Sequence, residues 1–200
     1  MQIYSCIFEQ NHLMILIIDC GSEKSPKIGK FIDLLGEKTE CVSLAEDLKD
    51  IIRYKGIIIS GAPILVTEID TKPYLDKFQF LTGITTPVLG ICFGHQILGM
   101  VWGAYASRCK EARKSLVIRL ETNSKLFKGI GAHSIFNEDH CEMISLPKQF
   151  KQIATSDHCK IEGMQHLSKA LFGVQFHPET SGKNGLQLFK NFVCICNDKK

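Results

Sequence analysis

No stretch of this 200-residue chain is apolar for long enough to cross a bilayer. The longest early run, Met14-Ile-Leu-Ile-Ile18, is cut by Asp19 and falls far short of the roughly 20 residues a span requires. Long blocks of basic residues are missing too, and a net charge of +3 is too small to mark a polyanion-binding surface, so neither a membrane nor a nucleic acid is an expected partner. The chain has neither a Gly-x-x-x-x-Gly-Lys-Ser/Thr loop nor a Gly-x-Gly-x-x-Gly turn, which removes the usual nucleotide cradles. Cys-x-x-Cys pairs are absent, and the nine cysteines are odd in number and scattered, with no secretory leader expected. They read as reduced thiols of a cytoplasmic protein, with no metal site. The repeated dipeptides His140-Cys141 and His158-Cys159 do not change this, since adjacent side chains seldom converge on one ion.

What is present is a full core: 44% hydrophobic residues in a length that suits one domain. Residues 1–13, ahead of the first strand-like run, read as an N-terminal extension, and residues 14–197 as the domain. Four apolar, β-branched runs, Ile15–Ile18, Glu40–Ser43, Gly56–Ser60 and Pro87–Ile91, have the pattern of strands covered on both faces. Helix-length segments separate them. One starts at Ser25 as N-cap with Pro26 and closes at Gly36, a second spans Ala45–Tyr54, and a third Thr71–Leu81. After about Tyr105 the chain turns to short strands (115–120, 134–137, 152–155, 171–175) and a last helix, Leu186–Cys196. The expected architecture is α/β: a single domain with a mixed, largely parallel central sheet, helices on both faces and an antiparallel extension.

Chemistry concentrates in two places. Gly90-Ile-Cys-Phe-Gly94 follows a buried strand and precedes a helix, the pattern of a nucleophile elbow with sulfur as the attacking atom. Its glycines relieve a turn too tight for Cβ atoms, and the helix N-terminus favours the thiolate of Cys92. Further on, Gly173-Val-Gln-Phe-His-Pro-Glu179 ends a strand with His177 and Glu179 two residues apart, on one side of an extended segment. Glu179 is thus placed to fix the tautomer of His177 and leave its other nitrogen for sulfur.

Together, Gly90-Ile-Cys-Phe-Gly-His-Gln96 and Val174-Gln-Phe-His-Pro-Glu179 resemble the class I (triad) glutamine amidotransferases, with Ile17–Ser22 similar to the family's first strand and turn and Ile57–Pro63 to its oxyanion strand. Within that family, order and spacing look most similar to the free-standing glutaminase subunit of GMP synthase. The resemblance implies a Cys92, His177, Glu179 triad that hydrolyses L-glutamine to glutamate and ammonia through a γ-glutamyl thioester. It also implies an oxyanion hole from the backbone N–H groups of Ala62 and Phe93, with Gly61, Pro63 and Gln96 shaping the glutamine site. No cofactor is then expected in this chain; ATP and magnesium belong to a partner synthetase subunit that takes the ammonia, most simply to convert XMP to GMP.

The chain also departs from the family pattern. Ala62 stands where a second glycine is usual, Leu65 replaces a serine, and Ile135–Glu142 lacks a Ser-His-x-Asp order, leaving Asp139 or His140 as the expected holders of the amino-acid end of glutamine. Two other readings keep the fold and change the function: a stand-alone hydrolase of γ-glutamyl or peptide substrates, and a regulatory chain without turnover. The basic cluster Arg108, Lys110, Arg113 and Lys114 reads as a solvated face or as a surface toward an acidic partner.

Overall fold

The structure is a computed structural model that describes residues 14–48 and 50–198; the expected extension over residues 1–13 lies outside them. Five parallel strands form one half of the main sheet, in the order β2 (Lys38–Ser43), β1 (Met14–Asp19), β3 (Gly56–Ile59), β4 (Val88–Ile91) and β11 (Leu171–Val174). Beyond β11 the sheet continues antiparallel through β10 (Gly163–His166), β9 (Phe150–Thr155), β6 (Ser115–Leu120) and β7 (His133–Asn137). The largely parallel, mixed sheet expected from the sequence is therefore present.

Alternation along β1 feeds two cores. Ile15 and Ile17 pack with Ile28 and Ile32 of α1 (Ser25–Leu34) and with Phe189 and Phe192 of α4 (Gly182–Asn197). Leu16 and Ile18 lie on the opposite face with Phe78 of α2 (Lys72–Phe78) and Phe93, Ile97 and Leu98 of α3 (Phe93–Val101). A strand buried on both sides needs apolar residues at every position, which is why β1, β3 and β4 read as unbroken apolar runs.

Four features depart from the sequence-based expectation. Among its described residues the Ala45–Tyr54 segment forms a 3₁₀ turn at Ile51–Arg53 and no α-helix; Asp50, directly before the turn, has a left-handed φ of 53° that breaks helical continuation. Ser25 is the first helical residue and not the cap, and the chain enters α1 through Lys24 with no side-chain cap. Strand β2 lies at the edge of the sheet and is half exposed, so it is not covered on both faces. A separate two-stranded antiparallel sheet, β5 (Ala106–Ala112) with β8 (His140–Ile144), and strand β10 were not foreseen. Their polar residues carry no clean alternation.

Helix α4 approaches the loop after β11 so closely that a Cβ at Gly185 would overlap the backbone carbonyl of Pro178. Gly185→Ala is expected to cost about 3 kcal/mol, the upper end for overpacking because the obstructing atoms are backbone; a urea midpoint unchanged from the parent chain would refute this contact.

Candidate active site

The carboxyl ends of β3, β4 and β11 lie side by side, the edge at which open α/β sheets bind ligands. Strand β4 runs directly into Cys92, which takes φ 51° and ψ −106°, a backbone conformation that non-glycine residues rarely hold. The surroundings enforce it. A Cβ at Gly90 would strike the Gly94 carbonyl, and a Cβ at Gly94 would strike the Ile59 carbonyl of β3. The Cys92 N–H donates to the Val174 carbonyl at 2.9 Å, and the Cys92 carbonyl accepts from the Gln96 N–H at 3.0 Å, pinning the turn from both sides. The elbow read from Gly90–Gly94 is thus realised, with the thiol at the N-terminus of α3.

Strand β11 continues past Val174 to His177 and then a 3₁₀ turn at Pro178–Thr180. His177 Nδ1 lies 2.6 Å from Glu179 Oε1, and both residues are buried. Nε2 makes no completed hydrogen bond among the described residues. A Cβ at Gly61 would stand 3.3 Å from His177 Cε1 and 3.6 Å from Cys92 Cβ, so the imidazole and the thiol-bearing carbon meet on one side of that glycine. Burial by itself lowers the basicity of His177, but hydrogen bonding and charge from Cys92 and Glu179 outweigh it and push the imidazole up to about 10. The carboxylate on one side of the ring and the sulfur on the other thus both favour its protonated form.

A cavity of about 380 Å³ opens beside the thiol, walled by Ala62, Pro63, Gln96, Arg113 and Asp139 among others. A second hollow joins Cys92 and His177 to Lys24 and Asp139. Asp139 lines both and pairs with Lys24 and, at 3.3 Å, with Arg113; against the opposing effect of burial, Lys24 above all, then His177 and Arg113, hold its carboxyl below the usual range. Gln96 reaches the site and donates to Gln175 Oε1 at 3.2 Å. His140 borders the cavity, yet Nδ1 lies 2.9 Å from the Glu142 carbonyl and Nε2 3.3 Å from Glu138. The backbone N–H groups of Ala62 and Phe93 make no hydrogen bond among the described residues.

Sequence reasoning did not place four contributors at the site. Gln175 brings Nε2 to within 3.6 Å of Cys92 Sγ; its position two residues before His177, on the same side of an extended strand, was the available signal. Glu142 accepts hydrogen bonds from the Val66 and Thr67 N–H groups at 2.9 and 2.8 Å, fastening the loop that follows Ala62. Lys24 and Arg113 carry no local pattern that marks them. Of the basic cluster, Arg113 reaches the cavity, whereas Arg108 pairs with Glu68 on the surface.

Replacing Glu179 with glutamine removes a hydrogen-bond acceptor and a charge that both raise the His177 pKa. Glu179→Gln is expected to bring the imidazole well below about 10, read by NMR titration of its ring protons, and an unmoved titration would separate Glu179 from His177.

Comparison with known proteins places this geometry. The family model described as Glutamine amidotransferase class-I matches residues 16–196. A subunit of the glutamine-hydrolysing GMP synthase of Pyrococcus furiosus is 33% identical over 190 residues, covering 92% of this chain and all of that one. The glutamine-hydrolysing GMP synthase of Candida glabrata is 35% identical over 193 residues, where the match covers 93% of this chain but 36% of the longer protein. Among solved structures, a candidate GMP synthase subunit from Thermoplasma acidophilum superposes with a TM-score of 0.85 at 25% identity, covering 94% of this chain and 95% of that one. The chain belongs to the class-I glutamine amidotransferases.

Proposed function

We propose that this chain is the glutamine-hydrolysing subunit of a GMP synthase, releasing ammonia through Cys92, His177 and Glu179. The observation that carries the reading is an imidazole bound through Nδ1 to Glu179 on the same side of Gly61 as a thiol mounted on a strained turn. Family membership supports the substrate.

In the proposed reaction, Cys92 sulfur attacks the side-chain carboxamide carbon of glutamine, and the oxygen takes up negative charge. The N–H groups of Ala62 and Phe93 receive that oxyanion; losing one such donor costs about 10² to 10³ in rate. The tetrahedral adduct collapses as His177 gives its proton to the departing nitrogen, leaving ammonia and a γ-glutamyl thioester. His177, now neutral, takes a proton from water, which attacks the thioester to give glutamate and restore the thiol. Asp139 suits the substrate's ammonium group, and Arg113, on the same cavity, its carboxylate. Their existing mutual ion pair is half exposed and so cheaply exchanged for a zwitterion.

The sequence carries neither of the usual nucleotide-binding loops, so the step that consumes ammonia is assigned to a synthetase partner. The match to one portion of the longer Candida glabrata enzyme supports delivery to an ATP- and magnesium-dependent synthetase, with XMP as the acceptor. The same reasoning ties Ala62 to regulation: its Cβ narrows the rotation by which the loop presents its N–H, so docking of the synthetase completes the oxyanion hole.

Cys92→Ala is expected to abolish glutamate release and covalent capture by a glutamine-mimicking electrophile while preserving the circular dichroism spectrum; retained turnover would sink the mechanism. For the loop, Ala62→Gly is expected to raise unstimulated turnover by up to about 10²-fold, assayed with and without the synthetase. Equal stimulation of both chains by the partner would refute the role of Ala62.

A further inference from the structure

Three side chains that the hydrolytic chemistry does not use meet at the edge of the cleft, with His140 on the cavity wall. Glu138, His140 and Glu162 each offer one ligand atom, and these atoms all lie within 4.8 Å of one another. All three residues are buried, Glu162 completely. Glu138 and Glu162 interact with each other through their carboxyl groups, and beyond that mutual contact both Glu138 oxygens, Glu162 Oε2 and His140 Nε2 complete no hydrogen bond among the described residues, although Nε2 stands 3.3 Å from Glu138 Oε2. Around them the outer contacts are made: His140 Nδ1 lies 2.9 Å from the Glu142 carbonyl, and Ser156 Oγ donates to Glu162 Oε1 at 2.6 Å. An N–H on Nδ1 donated to that carbonyl leaves Nε2 as a lone pair. A lone pair and two carboxyl groups facing each other in the interior are stabilised either by protons on the carboxyls or by a cation that displaces those protons and stands among the three.

We propose that Glu138, His140 and Glu162 form a binding site for one divalent first-row transition-metal ion, of which zinc is the representative. One imidazole nitrogen and two carboxylate oxygens suit such an ion. The two carboxylates match its charge, so the interior gains no net charge on binding. Hydrogen bonds of the kind made by the Glu142 carbonyl and Ser156 are those that orient metal ligands from behind. The site departs from the sequence-based expectation of no metal, which weighed the His-Cys dipeptides; the partners of His140 are carboxylates, one of them remote in sequence. Asn137, next to Glu138, accepts the His177 N–H through its carbonyl at 2.8 Å, so an ion here braces the strand beside that imidazole without touching the reacting atoms.

The test uses the full chain carrying Cys92→Ala, which removes the Cys92–His177 pair as a competing zinc site, stripped with a chelator and titrated calorimetrically with Zn²⁺. One equivalent is expected to bind, with X-ray absorption showing a nitrogen and oxygen shell. Glu162→Gln and Glu138→Gln in the same background are each expected to weaken binding at least tenfold. Absence of stoichiometric binding, a sulfur-containing shell, or undiminished affinity in either folded carboxamide variant overturns the proposal. The absorption measurement needs neither variant and decides the matter should both fail to fold.

Discussion

The approach of the turn after β4 to the end of β3 is the constraint on which the rest of the site depends. Gly94 lies against the Ile59 carbonyl with no room for a side chain, and its N–H donates to the Ser60 carbonyl at 3.2 Å. That contact fixes where α3 begins and forces Cys92 into its strained conformation. With the turn held there, the sulfur has β3 on one side and β11 on the other. The loop that starts at Gly61 and the extension through Gln175 to His177 can then reach it without further adjustment of the sheet.

The two halves of the sheet contribute differently. Parallel strands supply the thiol and the Ala62 loop, because their carboxyl ends lie together. The antiparallel half aligns the imidazole: Asn137, at the end of β7, forms a bridge with His177, and the Ser181 hydroxyl both accepts from the Asn137 N–H at 2.9 Å and donates to the His177 carbonyl at 2.6 Å. Backbone bonds therefore hold His177 in place independently of its ring, leaving the ring's charge to Glu179 and Cys92. Position and protonation are set by different groups.

The parallel half was legible because strands covered on both faces admit little but apolar residues, and because glycine at positions 90 and 94 answers a steric demand that no other residue meets. His177 and Glu179 were paired correctly for an incomplete reason: an extended segment was expected between them, whereas Pro178–Thr180 forms a 3₁₀ turn that still brings the carboxylate 2.6 Å from Nδ1. Where polar residues dominate, the pattern fails. Strand β5 reads Ala-Ser-Arg-Cys-Lys-Glu-Ala and pairs with β8 through a register shift, so no alternation survives to be read. Ala45–Tyr54 fails in the opposite sense: its spacing suits a helix, and one left-handed residue, Asp50, overrides it. Lys24 and Arg113 reach the cavity only through tertiary packing.

The segment from Asn137 to Glu142 shows how an unfamiliar sequence can hold familiar geometry. Its burial alternates: Glu138, His140 and Glu142 are buried, while Asn137, Asp139 and Cys141 are half exposed. This period of two is what an extended chain imposes, and it sorts six polar residues into two sets. Asp139 and Cys141 border the cavity, where an exposed ion pair is readily exchanged. Glu142, in the buried set, grips the backbone of Val66 and Thr67 and so anchors the loop carrying Ala62. One strand entrance thereby touches the Ala62 loop, the cavity mouth and the backbone of His177. The hydrogen bonds of Glu142 and of His140 Nδ1 tie the segment to its surroundings, so a shift of this segment for the sake of one contact would sacrifice the others.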